Sequence, residues 1–151
     1  MEEFEGQLVD AINHWFEENG DKGVAYRLKQ AKYTSQWLDV LVDSPQRYMG
    51  IECKSIKTRT VNKIYFTQHF SDNQVERITD YLNESGRDGF LAVELRRGRG
   101  RSRKAFIIPW DKVDKAYTSG QVGFALDELG TVGTELPRIG GHYNAETLMG
   151  A

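Results

Sequence analysis

Two short stretches of this chain carry residues whose types and spacing could do chemistry. Residues 37–42 read Trp-Leu-Asp-Val-Leu-Val, which sets Asp39 inside an apolar run. Residues 48–56 read Tyr-Met-Gly-Ile-Glu-Cys-Lys-Ser-Ile and carry Glu52 and Lys54. Between them, Asp43-Ser-Pro-Gln has turn composition, so the two stretches read as a β-hairpin. Side chains alternate between the faces of a strand. Glu52 and Lys54 therefore point one way, and Ile51, Cys53 and Ser55 the other. Antiparallel neighbours hold side chains of a shared face about 5 Å apart. Asp39, Glu52 and Lys54 can converge on one spot.

Two carboxylates at one point repel each other unless a cation joins them. Hard oxygen donors suit Mg²⁺ or Mn²⁺, which keep several waters and accept phosphate oxygens. Such an ion acidifies a bound water and offsets charge building on a phosphate. A nearby lysine could orient or deprotonate the attacking water, or stabilise the oxyanion; the sequence leaves that choice open. An Asp and a Glu-x-Lys are ordinarily a structural ion pair on a solvated face. Here Leu38, Val40, Leu41 and Val42 surround Asp39 with apolar side chains on both faces. An acid in a strand buried on both sides needs a reason.

The second charged feature is a run of cations. Residues 96–104 read Arg-Arg-Gly-Arg-Gly-Arg-Ser-Arg-Lys and contain no acid, although the net charge of the chain is −2. Positive charge is concentrated in Arg96, Arg97, Arg99, Arg101, Arg103 and Lys104. Such a run could be a solvated hairpin tip, but cations this dense repel one another without an anionic partner. Arginine forks match phosphate oxygens, and phosphate contacts dominate affinity for DNA. Interleaved glycines let the loop follow a groove. Arg27, Lys29 and Lys32 are candidates to extend that surface.

The elements that must position these residues follow from periodicity. Phe4, Leu8, Ile12 and Trp15 form one helical stripe over residues 4–19, closed by Gly20. Strands are expected at 24–29, 37–42, 48–56 and, briefly, 63–67. Ser71 with Gln74 three residues later has capping-box spacing. Val75, Ile78 and Leu82 give the buried stripe of the helix that follows, and Gly86 ends it. Phe90–Leu95 and Ala105–Pro109 are apolar strands flanking the cationic loop, and 111–117 is a short helix. After Ser119 glycine is frequent and periodicity fades, so 119–151 reads as a loosely ordered extension with at most a short helix near Phe124–Leu129. The order is that of an α/β sheet with helices packed on its faces.

Asp39 followed by Glu52-Cys-Lys54 on the next strand resembles the PD-(D/E)xK nuclease motif. Ile-Glu-Cys-Lys-Ser at 51–55, an Ile-Tyr-Phe strand and a helix near Gln74 are similar to the archaeal-type Holliday junction resolvases, over about Phe4 to Val113. The resemblance implies a restriction-endonuclease-like mixed central sheet flanked by helices, with residues 1–118 as the nuclease domain. It also implies Mg²⁺ dependence with Mn²⁺ as a substitute, a homodimer, and paired cuts in four-way DNA junctions. A glutamate on the first helix completes the metal site of that family. Glu5 matches it best, ahead of Glu2, Glu3 and Asp10. Gln74 lies where related nucleases place a helix glutamine near the active site, a role that competes with helix capping. Leu38 stands where the family often has proline, and Tyr33-Thr-Ser35 could supply the family's loop serine. Other members of the superfamily act in restriction, repair or exonucleolytic trimming. A DNA-binding module that lost catalysis would be free to lose the three buried charges.

Several classes are disfavoured. A single cysteine, Cys53, allows no intrachain disulfide, and no basic start followed by an apolar run suggests export. No apolar stretch approaches the ~18 residues of a membrane span, so a soluble, cytoplasmic protein is expected. No phosphate-binding glycine motif implies a nucleotide cofactor. His14, His69 and His142 lack metal-ligand spacing, although His69 precedes the Gln74 helix and is a candidate DNA contact. Cys53, Trp15, Trp37 and Trp110 read as packing residues.

Overall fold

A computed structural model of the chain describes residues 3–28 and 38–150. Lys29, Lys32, the Tyr33-Thr-Ser35 stretch, Trp37 and Glu2 lie outside the described residues. The first helix, α1 (Phe4–Asn19), buries the expected stripe of Phe4, Leu8, Ala11, Ile12 and Trp15, and Gly20 closes it in the left-handed conformation. It is followed by β1 (Val24–Arg27), β2 (Val40–Asp43) and β3 (Tyr48–Lys57). The turn between β2 and β3 is closed by the Ser44 N–H donating to the Arg47 carbonyl at 2.8 Å. The expected strand at 63–67 is shorter: β4 (Lys63–Tyr65) gives way to a single helical turn, α2 (Phe66–His69). Phe66 leaves the strand and, with Phe70 just after the turn, packs inward.

Next come α3 (Gln74–Ser85), β5 (Asp88–Arg96), β6 (Lys104–Pro109) and α4 (Trp110–Thr118). The main sheet has the order β1-β2-β3-β5-β6 and one further edge strand, β8 (Thr134–Leu136). Only β3 and β5 run parallel; the remaining pairs are antiparallel. The fold is therefore a mixed central sheet with helices on both faces. On one face α1 packs against Val40, Val42, Ile51, Ala92 and Ile107. On the other, α3 and α4 bring Val75, Ile78, Leu82 and Val113 onto Leu41, Leu91, Val93 and Ile108. The central strands are apolar on both sides for this reason. Leu82 sits so close to the sheet that a Cβ on Gly89 would lie 2.2 Å from its Cδ1. No described helix is long and apolar enough to cross a membrane.

The Arg87 side chain ties these elements together. Its guanidinium donates to Asp43 Oδ1 at 2.8 Å, to the Met49 carbonyl at 3.1 Å and to the Tyr81 hydroxyl at 3.2 Å. It also lies 3.9 Å above the Tyr48 ring. One side chain thus fixes the end of α3 to the turn that sets the β2–β3 register.

The stretch after Ser119 differs from expectation. It forms β7 (Gly123–Ala125), a 3₁₀ turn, α5 (Leu129–Val132), β8, β9 (Arg138–Ile139), β10 (His142–Tyr143) and α6 (Glu146–Met149). None exceeds four residues, which is too short to display a period, and its glycines serve tight turns at Gly140 and Gly141, where φ is positive. Yet Phe124, Leu129, Leu136, Tyr143, Leu148 and Met149 are buried. β7 pairs with β4, and β8 with β6. Residues 123–149 complete both faces of the core.

This packing has a measurable consequence. Leu136 is fully buried, so Leu136→Ala is expected to destabilise the protein by about 2–5 kcal/mol. The shift in denaturant midpoint measures it. A change under about 0.5 kcal/mol, the range of an ordinary surface substitution, would mean that β8 is not packed in solution.

Candidate active site

Asp39 lies just before β2, where its backbone N–H donates to the Ile51 carbonyl and its own carbonyl accepts from Leu28, both at 3.1 Å. The pair Val40↔Ile51 closes the β2–β3 ladder at this end. One step further, Asp39 stands opposite Glu52. Its carboxylate accepts the backbone N–H of Cys53 at 2.8 Å, so it is held between Glu52 and Lys54. The burial that made Asp39 conspicuous is present: Leu38, Val40, Leu41 and Val42 are all buried.

Glu52 is 4% exposed, one of two buried charged residues among those described. Burial and the neighbouring Asp39 push its carboxyl up to about 8, while Lys54 pulls it down. Lys54 Nζ lies 2.9 Å from Glu52 Oε2, and the Gln74 amide donates to the same oxygen at 2.8 Å. The ammonium also sits 4.5 Å above the Phe70 ring and 3.4 Å from Gln74 Oε1.

The Gln74 amide makes two contacts at once. Its Oε1 accepts the Ser71 backbone N–H at 3.0 Å, while its Nε2 reaches Glu52. The helix begins at Gln74, later than a Ser71 cap implies, and is preceded by Asn73 in the left-handed region. The bond to Ser71 fixes the amide's orientation, so its N–H₂ end faces the carboxylate. Beside it opens a cavity of about 370 Å³ lined by Phe70, Ser71, Asn73, Gln74 and Tyr117 among others. A larger cavity, about 640 Å³ between α1 and the β9–β10 hairpin, holds none of these candidate residues. His69 stands nearby: its Nδ1 accepts the Tyr65 N–H at 2.8 Å. Burial, with Lys54 acting the same way, lowers its pKa.

Glu5 is placed differently. It is on α1, with Arg27 NH2 at 4.0 Å; the same guanidinium binds Glu3 at 2.6 Å. Glu5, Asp39 and Glu52 all act electrostatically on the thiol of Cys53, which burial pushes well above its ordinary value. Among the described residues, however, no three His, Cys, Asp or Glu side chains gather closely enough to hold a metal ion. The three expected acids do not gather as one group: Asp39 faces Glu52, and Glu5 lies near Arg27. A pair of hard carboxylates, one of them desolvated, fits Mg²⁺, which commonly takes one or two protein carboxylates and keeps its waters.

Glu94 went unremarked in the sequence. It is fully buried on β5, and it interrupts the apolar run Phe90–Leu95 as Asp39 interrupts its own; the same signal would have found it. Glu94 accepts from Tyr143 at 2.6 Å and Ser55 at 3.0 Å. Arg96 and Arg103 approach it at 3.5 and 3.6 Å. These arginines are the two ends of the cationic loop. Within that loop Arg97 donates to the Ser102 carbonyl at 2.9 Å, while Arg99 and Arg101 are exposed and Lys104 half-buried at the start of β6. Of the other histidines, His14 pairs with Glu18 on the surface and His142 is exposed.

Comparison with known proteins places this geometry. No family model matches the chain, and no curated protein matches it. Among solved structures it is similar to Hjc, a Holliday junction resolvase from the archaeal hyperthermophile Archaeoglobus fulgidus. The TM-score is 0.52 at 17% identity, covering 83% of this chain and 93% of that one. With the sheet and helices described above, this likeness shows that the chain has the restriction-endonuclease-like fold.

Proposed function

We propose that this protein is a Mg²⁺-dependent, structure-selective DNA endonuclease that cuts four-way junctions and serves DNA recombination and repair. The observation that carries the proposal is the pairing of Asp39 with the buried Glu52, Lys54 and Gln74 on a fold shared with a junction resolvase. Asp39 and Glu52 would hold the metal, with Mn²⁺ able to replace Mg²⁺, and Glu5 would act on it from outside as a further acid. When bound, the ion would make a coordinated water more acidic and offset charge on the phosphate. In the hydrolysis a water oxygen bonds to phosphorus as one P–O ester bond breaks, leaving a phosphomonoester and a hydroxyl. Lys54, an ammonium with three donors, can hand a hydrogen bond to the attacking water or to the phosphate oxygens. Gln74 keeps Glu52 in one orientation, and the cationic loop supplies affinity for the DNA backbone.

Asp39→Asn and Glu52→Gln each remove ligand charge with little change of volume. Each is expected to lower cleavage by at least about a hundredfold, a loss of ~2.7 kcal/mol of transition-state stabilisation, while DNA binding survives. Mg²⁺ is expected to raise the melting temperature of the wild type more than that of either variant. Cleavage is measured with Mg²⁺ on matched four-way, linear duplex and single-stranded DNA. Wild-type rates in either variant would refute the site. Equal cutting of linear duplex would move the reading to another nuclease of the same superfamily.

Junction resolution needs two symmetric cuts, and one Asp39/Glu52/Lys54 centre makes one at a time. A twofold homodimer places two identical centres on a twofold-symmetric substrate. Mixing wild-type protein with excess Glu52→Gln subunits should then produce nicked but unresolved junctions. A strictly monomeric mass in light scattering, free and with junction DNA, would count decisively against the dimer.

A further inference from the structure

The six cations of residues 96–104 are not equivalent in the fold. Arg96 and Arg103 flank the loop, and both turn to the same fully buried carboxylate, Glu94, at 3.5 and 3.6 Å. Glu94 is also held by Ser55 on β3 and by Tyr143 on β10. Burial and the carboxylate push the Tyr143 hydroxyl's pKa up, so it remains a donor. A buried carboxylate needs compensating charge, and these two arginines are the cations that the structure supplies to it. Their side chains are accordingly only 34% and 22% exposed.

Two cations outside the run stand beside it. Lys57 is the register partner of Arg96 across the parallel β3–β5 pair, and the chain leaving β3 stays attached there through the Thr58 N–H to the Arg96 carbonyl at 3.1 Å. Arg59 then lies against the loop itself: a Cβ on Gly98, where φ is +99°, would be 3.1 Å from Arg59 Nε. Glycine at 98 leaves room for the guanidinium at that place. Lys57 and Arg59 are exposed, as are Arg99 and Arg101.

We infer that Lys57, Arg59, Arg99 and Arg101 form one surface that grips the phosphate backbone of DNA, whereas Arg96 and Arg103 are structural counter-charges of Glu94. The surface is built from two loops far apart in sequence, so it is absent from the cationic run read alone. Glu94 is a positioning residue: it fixes the two stems between which the loop is displayed, and it withholds two guanidiniums from the phosphates. The inference rests on the reading of this protein as a DNA nuclease.

The test is the salt dependence of binding to junction DNA, followed by anisotropy, with thermal melting of each variant measured alongside. Each phosphate contact removed should lower the slope of log K against log salt by about 0.9. Arg59→Ala, Arg99→Ala and Arg101→Ala are expected to do so with the melting temperature unchanged, and Arg59→Lys to restore the slope. Arg96→Ala and Arg103→Ala are expected to lower the melting temperature and leave the slope as it is. Should Arg103→Ala not fold, Arg103→Gln keeps part of its hydrogen bonding and carries the same expectation. Glu94→Gln releases two guanidiniums and should steepen the slope, an effect that loosened packing alone would not produce. An unchanged slope in Arg59→Ala, or a reduced one in Arg96→Ala, would overturn the division of roles. A wild-type protein without salt-dependent DNA binding would instead sink the nuclease reading itself.

Discussion

The constraint on which the site depends is the burial of Glu52 beside Asp39. Two acids that face each other across an antiparallel pair, one of them almost without solvent, raise the free energy of the ionised state unless positive charge is brought to them. The chain brings some of its own. Lys54 comes from the same strand two residues on, and the Gln74 amide comes from the first residue of α3. Every other requirement follows from that spot. The β2–β3 register must be right to within one residue, since a slip would turn Glu52 and Lys54 to the α1 face. Arg87 grips the turn that sets this register, and α3 must begin where its first side chain can reach across.

The sheet buries a second acid, and the contrast explains why one reads as chemistry and the other as structure. Glu52 faces α3, and Glu94, on the adjacent strand, faces α1. Glu94 is fully enclosed, and its two oxygens are met by two hydroxyls and two guanidiniums. Glu52 is engaged through Oε2 by Lys54 and Gln74, and its partner acid Asp39 is half-exposed. A carboxylate closed in by matched donors has no coordination left for a ligand, whereas one that faces a second, half-exposed acid has. Burial alone therefore does not mark a functional residue. Burial together with a like charge that still reaches solvent is the stronger signal.

Much of this was legible in the sequence, for identifiable reasons. Long elements with strong periods, such as α1 and α3, express their buried stripes directly. Asp39 stood out because an acid among four buried apolar residues contradicts its setting, and Glu52 and Lys54 because strand alternation sends them the same way. Glu94 broke its own apolar run in the same fashion; of its partners only Arg96 lies near it in sequence, and Tyr143, Ser55 and Arg103 meet it through the fold. Local signals could not divide the contacts of Gln74, because its bonds to Ser71 and to Glu52 use opposite ends of one amide. Glu5 was placed on the right helix by motif resemblance, yet the geometry couples it to Arg27 rather than seating it with the other two acids.

The C-terminal stretch shows what periodicity cannot register. Its elements are two to four residues long, so each contributes one or two buried side chains and none carries a pattern. Their effect is nonetheless on the working parts. Phe124 on β7 packs edge-to-face on Phe66 at 5.8 Å, and Phe66 is one turn before Phe70, over whose ring Lys54 lies. Tyr143 on β10 packs against Phe4 at 5.5 Å and donates to Glu94. One end of this stretch thus braces the turn beneath the lysine, and the other braces the stem of the cationic loop. The paired acids and the cationic loop come from different strands, and both sets must be held in one frame. Here that frame is closed by the segment whose sequence advertises it least.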